Sequence, residues 1–190
     1  MTNLIKISLI FLAIFIMITG LFYPLLLTGI AQIVFPYQAN GSLIIGDQRV
    51  LGSMLIGQYF TDPKYFWGRP SATAGFPYNA SFSGGSNLGP LNPSLQSALE
   101  DRIATYHQVD PQNILPIPID LLTASASGLD PHISLASAHY QSARVARVRG
   151  LSLDSVNALI DRYTLQPDLG ILGETRVNVL QLNLALDGIK

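Results

Sequence analysis

Residues 5–35 read IKISLIFLAIFIMITGLFYPLLLTGIAQIVF, and the reading of that stretch decides how the rest of the chain folds. From Ile7 to Ala31 it carries no ionisable side chain except Tyr23. Its apolar part runs for about 25 residues, and about 20 suffice to cross the hydrocarbon core of a bilayer as a helix. A single segment in lipid has to satisfy its backbone polar groups internally, which only a helix does. The competing reading is a cleaved signal peptide, with Gly29-Ile30-Ala31 as the small-residue cleavage site. Apolar regions of signal peptides run only about 7–15 residues, so a retained anchor is the better reading. Pro24 is expected to kink the helix near its outer third. Gly20, Thr28 and Gly29 offer small surfaces to a neighbouring helix.

Outward from the span, flanking charge sets orientation. Lys6 and the amino terminus precede it, whereas the first basic residue after it is Arg49, which predicts an amino terminus inside. The expected organisation is a short cytoplasmic segment 1–6, a transmembrane helix 7–35, and an extracytoplasmic α+β domain 36–190 with a long ordered loop 61–93. Only 12% of the 190 residues are charged, about half the usual share, and the deficit lies in the span. A net charge of -1 gives no electrostatic reason to expect a nucleic-acid partner. With no cysteine, the chain has no disulfide, thiol nucleophile or cysteine-rich zinc site.

Within the outer domain, LIIGDQRVLG (Leu43 to Gly52) reads as a hairpin turning at Gly46-Asp47-Gln48, with SMLIGQYF continuing as strand. Residues 61–93 are dense in Gly, Pro, Ser and Asn, and a loop of about 30 residues is either functional or disordered. Tyr65, Phe66, Trp67, Phe76, Tyr78 and Phe82 are buriable aromatics, so the loop is read as ordered, with Arg69 stacking or pairing near Trp67. Asn92-Pro93 starts a helix with Leu95, Leu99, Ile103 and Tyr106 on its inner face. ILPIPIDLL (Ile114 to Leu122) is read as extended and then a buried strand. Ser134 caps a helix that Gly150 ends, and Ser152 caps another with Val156, Leu159, Ile160 and Tyr163 inward. The tail RVNVLQLNLALDGI fits both periods, and helix is preferred.

Candidate chemistry centres on TASASGLDPHIS, residues 123–134, where Asp130 and His132 flank a proline. A nucleophile relay needs a base in reach of an activated serine and an oxyanion site, and the spacing alone supplies neither. The plainer reading is a turn opened by Asp130-Pro131 between a buried strand and a helix. A zinc site from His132 and His139 lacks a further ligand, because His107 lies on another helix. SGGSN (Ser83 to Asn87) can form an anion-binding nest, but no Gly-Lys-Ser/Thr follows it. Arg144, Arg147 and Arg149 are read as a solvated helix face. Asn79-Ala80-Ser81 matches a glycosylation sequon.

Taken together, GQYFTDPKYFWGRPSATAG, SGGSNLGPLNP, IDLLTASASGLDPHIS, YQSARVARVRGL and LGETRVNVLQLNLALDG resemble, in order and after a single amino-terminal span, the C subunit of the bacterial Kdp potassium-transporting P-type ATPase. A departure stands at Ser142-Ala143, where an apolar residue and a proline are expected; without that proline the helix is expected to run on. The resemblance implies a non-catalytic subunit in the bacterial inner membrane. Its partners would be a potassium-channel-like subunit, an ATP-hydrolysing subunit, a small fourth subunit and membrane lipid. The chain itself has no DKTGT phosphorylation segment and no TVGYG-like filter. The family carries two roles, a catalytic chaperone for ATP binding by the ATPase subunit and a cap beside the potassium entrance. No cofactor is expected to be held firmly; ATP would act through the ATPase subunit, and potassium is the transported ion. If ATP does touch this chain, Gln141, Arg144 and Arg147 are the expected contacts. Arg69, Ser86, Asn87, Ser127, Asp130 and His132 stand in the segments expected to dock a partner or hold a structural motif. A membrane-anchored hydrolase, or a stand-alone binding module, built on Asp130 and His132 is the alternative.

Overall fold

The computed structural model describes residues 2–46 and 48–188. Met1, Asp47, Ile189 and Lys190 lie outside the described residues, including the middle of the expected hairpin turn and the extreme ends of the expected segments. The chain divides into two compact units, Met1–Leu43 and Ile44–Lys190.

The first unit is a long helix followed by a short one. Residues Asn3–Val34 form a continuous helical run of 32 residues, long and apolar enough to cross a membrane. It comprises α1 (Thr2–Phe15), a π-helical stretch (Ile16–Phe22) and α2 (Tyr23–Val34). The π stretch is how the helix accommodates Pro24, which has no N–H to continue an α ladder. The Tyr23 N–H bonds Ile18 O, five residues back, and Pro24 falls in the first turn of α2, where no donor is needed. Thr19 Oγ1 donates to Phe15 O at 2.7 Å inside the same stretch. At the proline the helix changes its hydrogen-bond register and continues. A single turn, α3 (Pro36–Ala39), closes the unit.

The second unit opens with the expected hairpin, β1 (Leu43–Gly46) and β2 (Arg49–Ser53). The continuation expected as strand is instead a turn from Met54, its Ile56 N–H reaching Ser53 O and its Gly57 N–H reaching Leu129 O at 2.8 Å. Asn178 Nδ2 donates to Met54 O at 2.9 Å, so a side chain rather than a neighbouring strand satisfies that carbonyl. Residues 61–92 hold one turn of 3₁₀ helix, Ala80–Phe82, and otherwise follow an irregular path. Helix α4 (Pro93–Val109) starts at the Asn92 cap, whose side chain accepts from the Ser94 N–H at 2.9 Å.

The run expected as a buried strand is a helical turn, α5 (Ile119–Leu122), with Leu121 and Leu122 buried. Thr123 Oγ1 donating to Ile119 O at 2.9 Å closes it. After it come β3 (His132–Ser134), α6 (Leu135–Arg149), α7 (Leu153–Arg162), β4 (Thr164–Leu165), β5 (Arg176–Asn178) and α8 (Val179–Leu186). Antiparallel β5 lies between β3 and β4, with Ile133 opposite Val177 and Thr164 also opposite Val177. The tail expected as helix thus contributes a central strand first and a helix second. Helix α6 passes through Ser142-Ala143 without a break, as the missing proline requires, and Ser142 Oγ donates to His139 O at 2.8 Å. Gly150 ends it in the left-handed conformation (φ 65°).

The core gathers Phe66 from the loop, Tyr106 from α4, Leu121 and Leu122 from α5, and Ile133 and Val177 from the sheet. Ala138, Tyr140 and Val145 from α6, Val156 and Ile160 from α7, and Leu182 from α8 complete it. At roughly 1.5–3 kcal/mol per fully buried large apolar side chain, this set is the main reason the irregular loop stays folded. Phe66, at 0% exposure, pins it. Tyr65, Trp67 and Tyr78 are half-buried, but Phe76 and Phe82, expected to anchor the loop as well, are exposed.

Candidate functional site

The polar residues of the second unit's motifs converge on the long loop from two sides. On one side α6 and α8 hold residues 62–67. Gln141 Oε1 accepts the Trp67 N–H at 2.8 Å while Gln141 Nε2 donates to Trp67 O at 3.1 Å. Asn183 does the same for Phe66, its Oδ1 accepting the N–H at 2.8 Å and its Nδ2 donating to O at 2.9 Å. Each side-chain amide thereby replaces the missing neighbouring strand for one loop residue. Buried backbone groups need such partners.

Arg144 completes this side. Its guanidinium donates to Gln141 Oε1 at 2.7 Å, to Tyr65 O at 3.1 Å and to Pro63 O, and it stacks on the Trp67 ring at 4.8 Å. Only 1% of Arg144 is exposed, and burial draws its pKa down to about 10, still charged at neutral pH. Arg149 bonds Lys64 O at 2.7 Å and Asp187 at 2.7 Å, and Tyr65 OH donates to the same carboxylate at 2.7 Å. Arg147 pairs with the buried Asp110 at 2.6 Å. Of the arginines expected on a solvated face, Arg147 is exposed as expected while pairing with Asp110, whereas Arg144 is buried against Trp67 and Arg149 is partly buried in its ion pair with Asp187. Gln141 and Arg144 have no exposed polar surface to offer a nucleotide, and Arg147 is half-occupied by its acid.

On the other side the TASASGLDPHIS segment holds residues 69–85. Arg69 Nη1 meets Asp130 Oδ2 at 3.1 Å, a pairing across 61 residues rather than the local contact with Trp67 expected for it. Asp130 Oδ1 accepts the His132 N–H at 3.0 Å and lies 3.5 Å from His132 Nδ1. Burial pushes the Asp130 carboxyl up, but the His132 side chain, the His132 N–H and Arg69 together outweigh it and hold the pKa below the usual range. Ser71 Oγ donates to Gly128 O at 2.7 Å and accepts the Tyr78 N–H at 2.8 Å. Ser127 O accepts from the Gly84 N–H at 2.9 Å and from Ser83 Oγ at 3.0 Å, and Ser127 Oγ accepts the Leu129 N–H at 3.1 Å. Gly128 sits at φ +68°, and a Cβ there would come 2.6 Å from Thr73 Cγ2 and 2.8 Å from Gly84 O. The segment is thus a clasp; it runs from a helical turn, α5, where a strand was expected, and through β3 into α6, the helix expected after it.

Two expected site residues stay outside this clasp. Ser86 and Asn87 are exposed, Asn87 at φ 52°, and among the described residues neither makes a side-chain hydrogen bond. Beside the clasp, Arg69, Asp120, Asp130, His132, Glu174 and Arg176 line an open cleft of about 460 Å³. Ser134, which also lines this cleft, donates its hydroxyl to Asp120 at 3.1 Å. Among the described residues no three His, Cys, Asp or Glu side chains converge as a metal site would require.

Residues 5–188 match the family described as KdpC: K+-transporting ATPase, c chain. The chain belongs to the KdpC family. It is 58% identical over 190 residues to the potassium-transporting ATPase KdpC subunit of Polaromonas naphthalenivorans, covering all of this chain and 97% of that one. The KdpC subunit of Methylococcus capsulatus is also 58% identical over 190 residues, covering both chains completely. That of Herpetosiphon aurantiacus is 60% identical over 179 residues, 93% of this chain and 92% of the relative.

In this KdpC chain several residues central to the clasp escape a linear reading. Asn183 and Asp120 are the clearest, the second taking the Ser134 N–H at 2.8 Å. Asn183 does carry a signal, since a lone Asn in VLQLNLAL sits on the face that the leucines bury, and a buried amide demands a partner. Asp187 carries none, because its partners Tyr65 and Arg149 lie far along the chain.

Proposed function

We propose that this chain is a non-catalytic accessory subunit of an ATP-driven potassium-uptake complex, and that it acts by assembly and by covering the potassium entrance. Residues 7–35 span the bacterial inner membrane with the amino terminus in the cytoplasm, and residues 36–190 stand on the outer side, as the flanking charge argues. The partners are the channel-like, ATP-hydrolysing and small fourth subunits.

One observation carries this reading. Arg69 and Asp130, which border a cleft, pair with each other across the loop, and Gln141 and Arg144 bond its backbone, so these polar side chains are engaged within the chain itself. They give the exposed parts of that loop a fixed shape, which is what a docking surface needs. A catalytic-chaperone effect on ATP affinity is then an indirect one, transmitted by the span or by the partner's outer surface. Gln141 and Arg144 serve as scaffold.

The test is potassium-stimulated ATP hydrolysis by the complex reconstituted with a chain truncated after Phe35. Loss of the activity is the expected outcome; full activity would remove the outer domain from the mechanism.

A further inference from the structure

A second cleft, of about 450 Å³, opens between the loop and α4, away from the Asp120–Glu174 side of the clasp. Its volume lies within the range of small-molecule sites, about 300–1,000 Å³. Phe60, Trp67, Tyr106 and Leu121 supply apolar walls, and Tyr78 and two prolines shape the opening. The charged residues that line it are Arg69 and Arg102, with no carboxylate among the lining side chains.

The two arginines are not equivalent. Arg69 is neutralised by Asp130. Arg102 donates one Nη1 bond to Leu122 O and has no carboxylate within ion-pairing distance among the described residues. A guanidinium carries five N–H donors in a planar fork, so most of those on Arg102 are without a protein acceptor. Burial lowers its pKa, and the neighbouring Asp101 carboxylate offsets only part of that effect from beyond ion-pairing distance. A cation with no direct ion pair, set beside aromatic and aliphatic walls, is complementary to an anion with an apolar body.

We infer that the cleft between the 58–78 loop and α4 binds a small amphiphilic carboxylate, its anionic head on Arg102 and its apolar body against Phe60, Trp67, Tyr106 and Leu121. This site borders the clasp, sharing Arg69, Ser71 and Tyr78 with it, and does not depend on the subunit role proposed above. Trp67 is the single tryptophan of the chain, so its fluorescence reports occupancy directly.

The experiment uses the full-length chain in nanodiscs of zwitterionic lipid, titrated with octanoate and, separately, with octanamide, which has the same chain and no charge. The expected result is a saturable change in Trp67 emission with octanoate, about tenfold weaker binding of octanamide, and a similar loss for octanoate with Arg102→Gln. No saturable change, equal affinities for acid and amide, or unchanged octanoate binding by a folded Arg102→Gln would overturn the site. Should that variant fail to fold, the acid-against-amide comparison on the unaltered chain still decides it.

Discussion

Gln141 and Asn183 perform the same task from different helices, each giving one loop residue both of the hydrogen bonds that a strand would give. Replacing either by Ala leaves a buried N–H and a buried C=O without partners, at about 1–3 kcal/mol each. Gln141→Ala and Asn183→Ala should therefore lower the thermal midpoint by similar amounts, read from Trp67 emission. A direct nucleotide role for Gln141 predicts something else, a fall in ATP affinity of the complex with the midpoint unmoved. Asp130 allows a pH test. Its folded pKa lies below the unfolded value near 3.8, so its contribution is complete at neutral pH. That contribution fades as pH falls through the folded value, where the carboxylate is protonated in both states. Asp130→Asn should cost about 1–3 kcal/mol at pH 7, from the hydrogen bonds to Arg69 and His132. The gap to the unaltered protein should shrink below about pH 4, as unfolding curves at pH 7 and pH 3 would record.

Among the elements, those specified by neighbouring residues are legible and those specified at a distance are not. The helix starts at Asn92, Ser134 and Ser152 follow from capping side chains two or three residues from the N–H they accept. The stop at Gly150 follows from its backbone freedom. By contrast, Ile119–Leu122 is too short for its apolar pattern to separate a helical turn from a strand. The sheet strands are two and three residues long and pair across long separations, so no local period reveals them. The clasp is hidden for the same reason: Arg69 and Asp130 are 61 residues apart, and Arg144 looks like a surface charge until Trp67 is seen beneath it. Its turn does leave one local trace, the glycine of SGLDP. Gly128→Ala has to accommodate a left-handed backbone and a Cβ against Thr73 and the Gly84 carbonyl. A loss of about 1–3 kcal/mol is expected. Protease cleavage in residues 70–85 should rise in step, because that is the stretch the clasp holds.

For the whole molecule, the apolar helix Asn3–Val34 and the second unit divide the work between attachment and shape. The helix announces itself by composition, and the mixed α and β content of the second unit agrees with the α+β expectation. Orientation in the membrane rests on Lys6 against Arg49 and on nothing else in the chain. This chain works as part of an assembly, since most of its motif residues are engaged in holding its own surface in place. The most direct measurement is the native size of the tagged full-length chain after mild detergent extraction from its own membrane. It should migrate with the channel-like and ATP-hydrolysing subunits in stoichiometric amounts. Migration as a single chain, with those subunits assembled and active elsewhere, would contradict it.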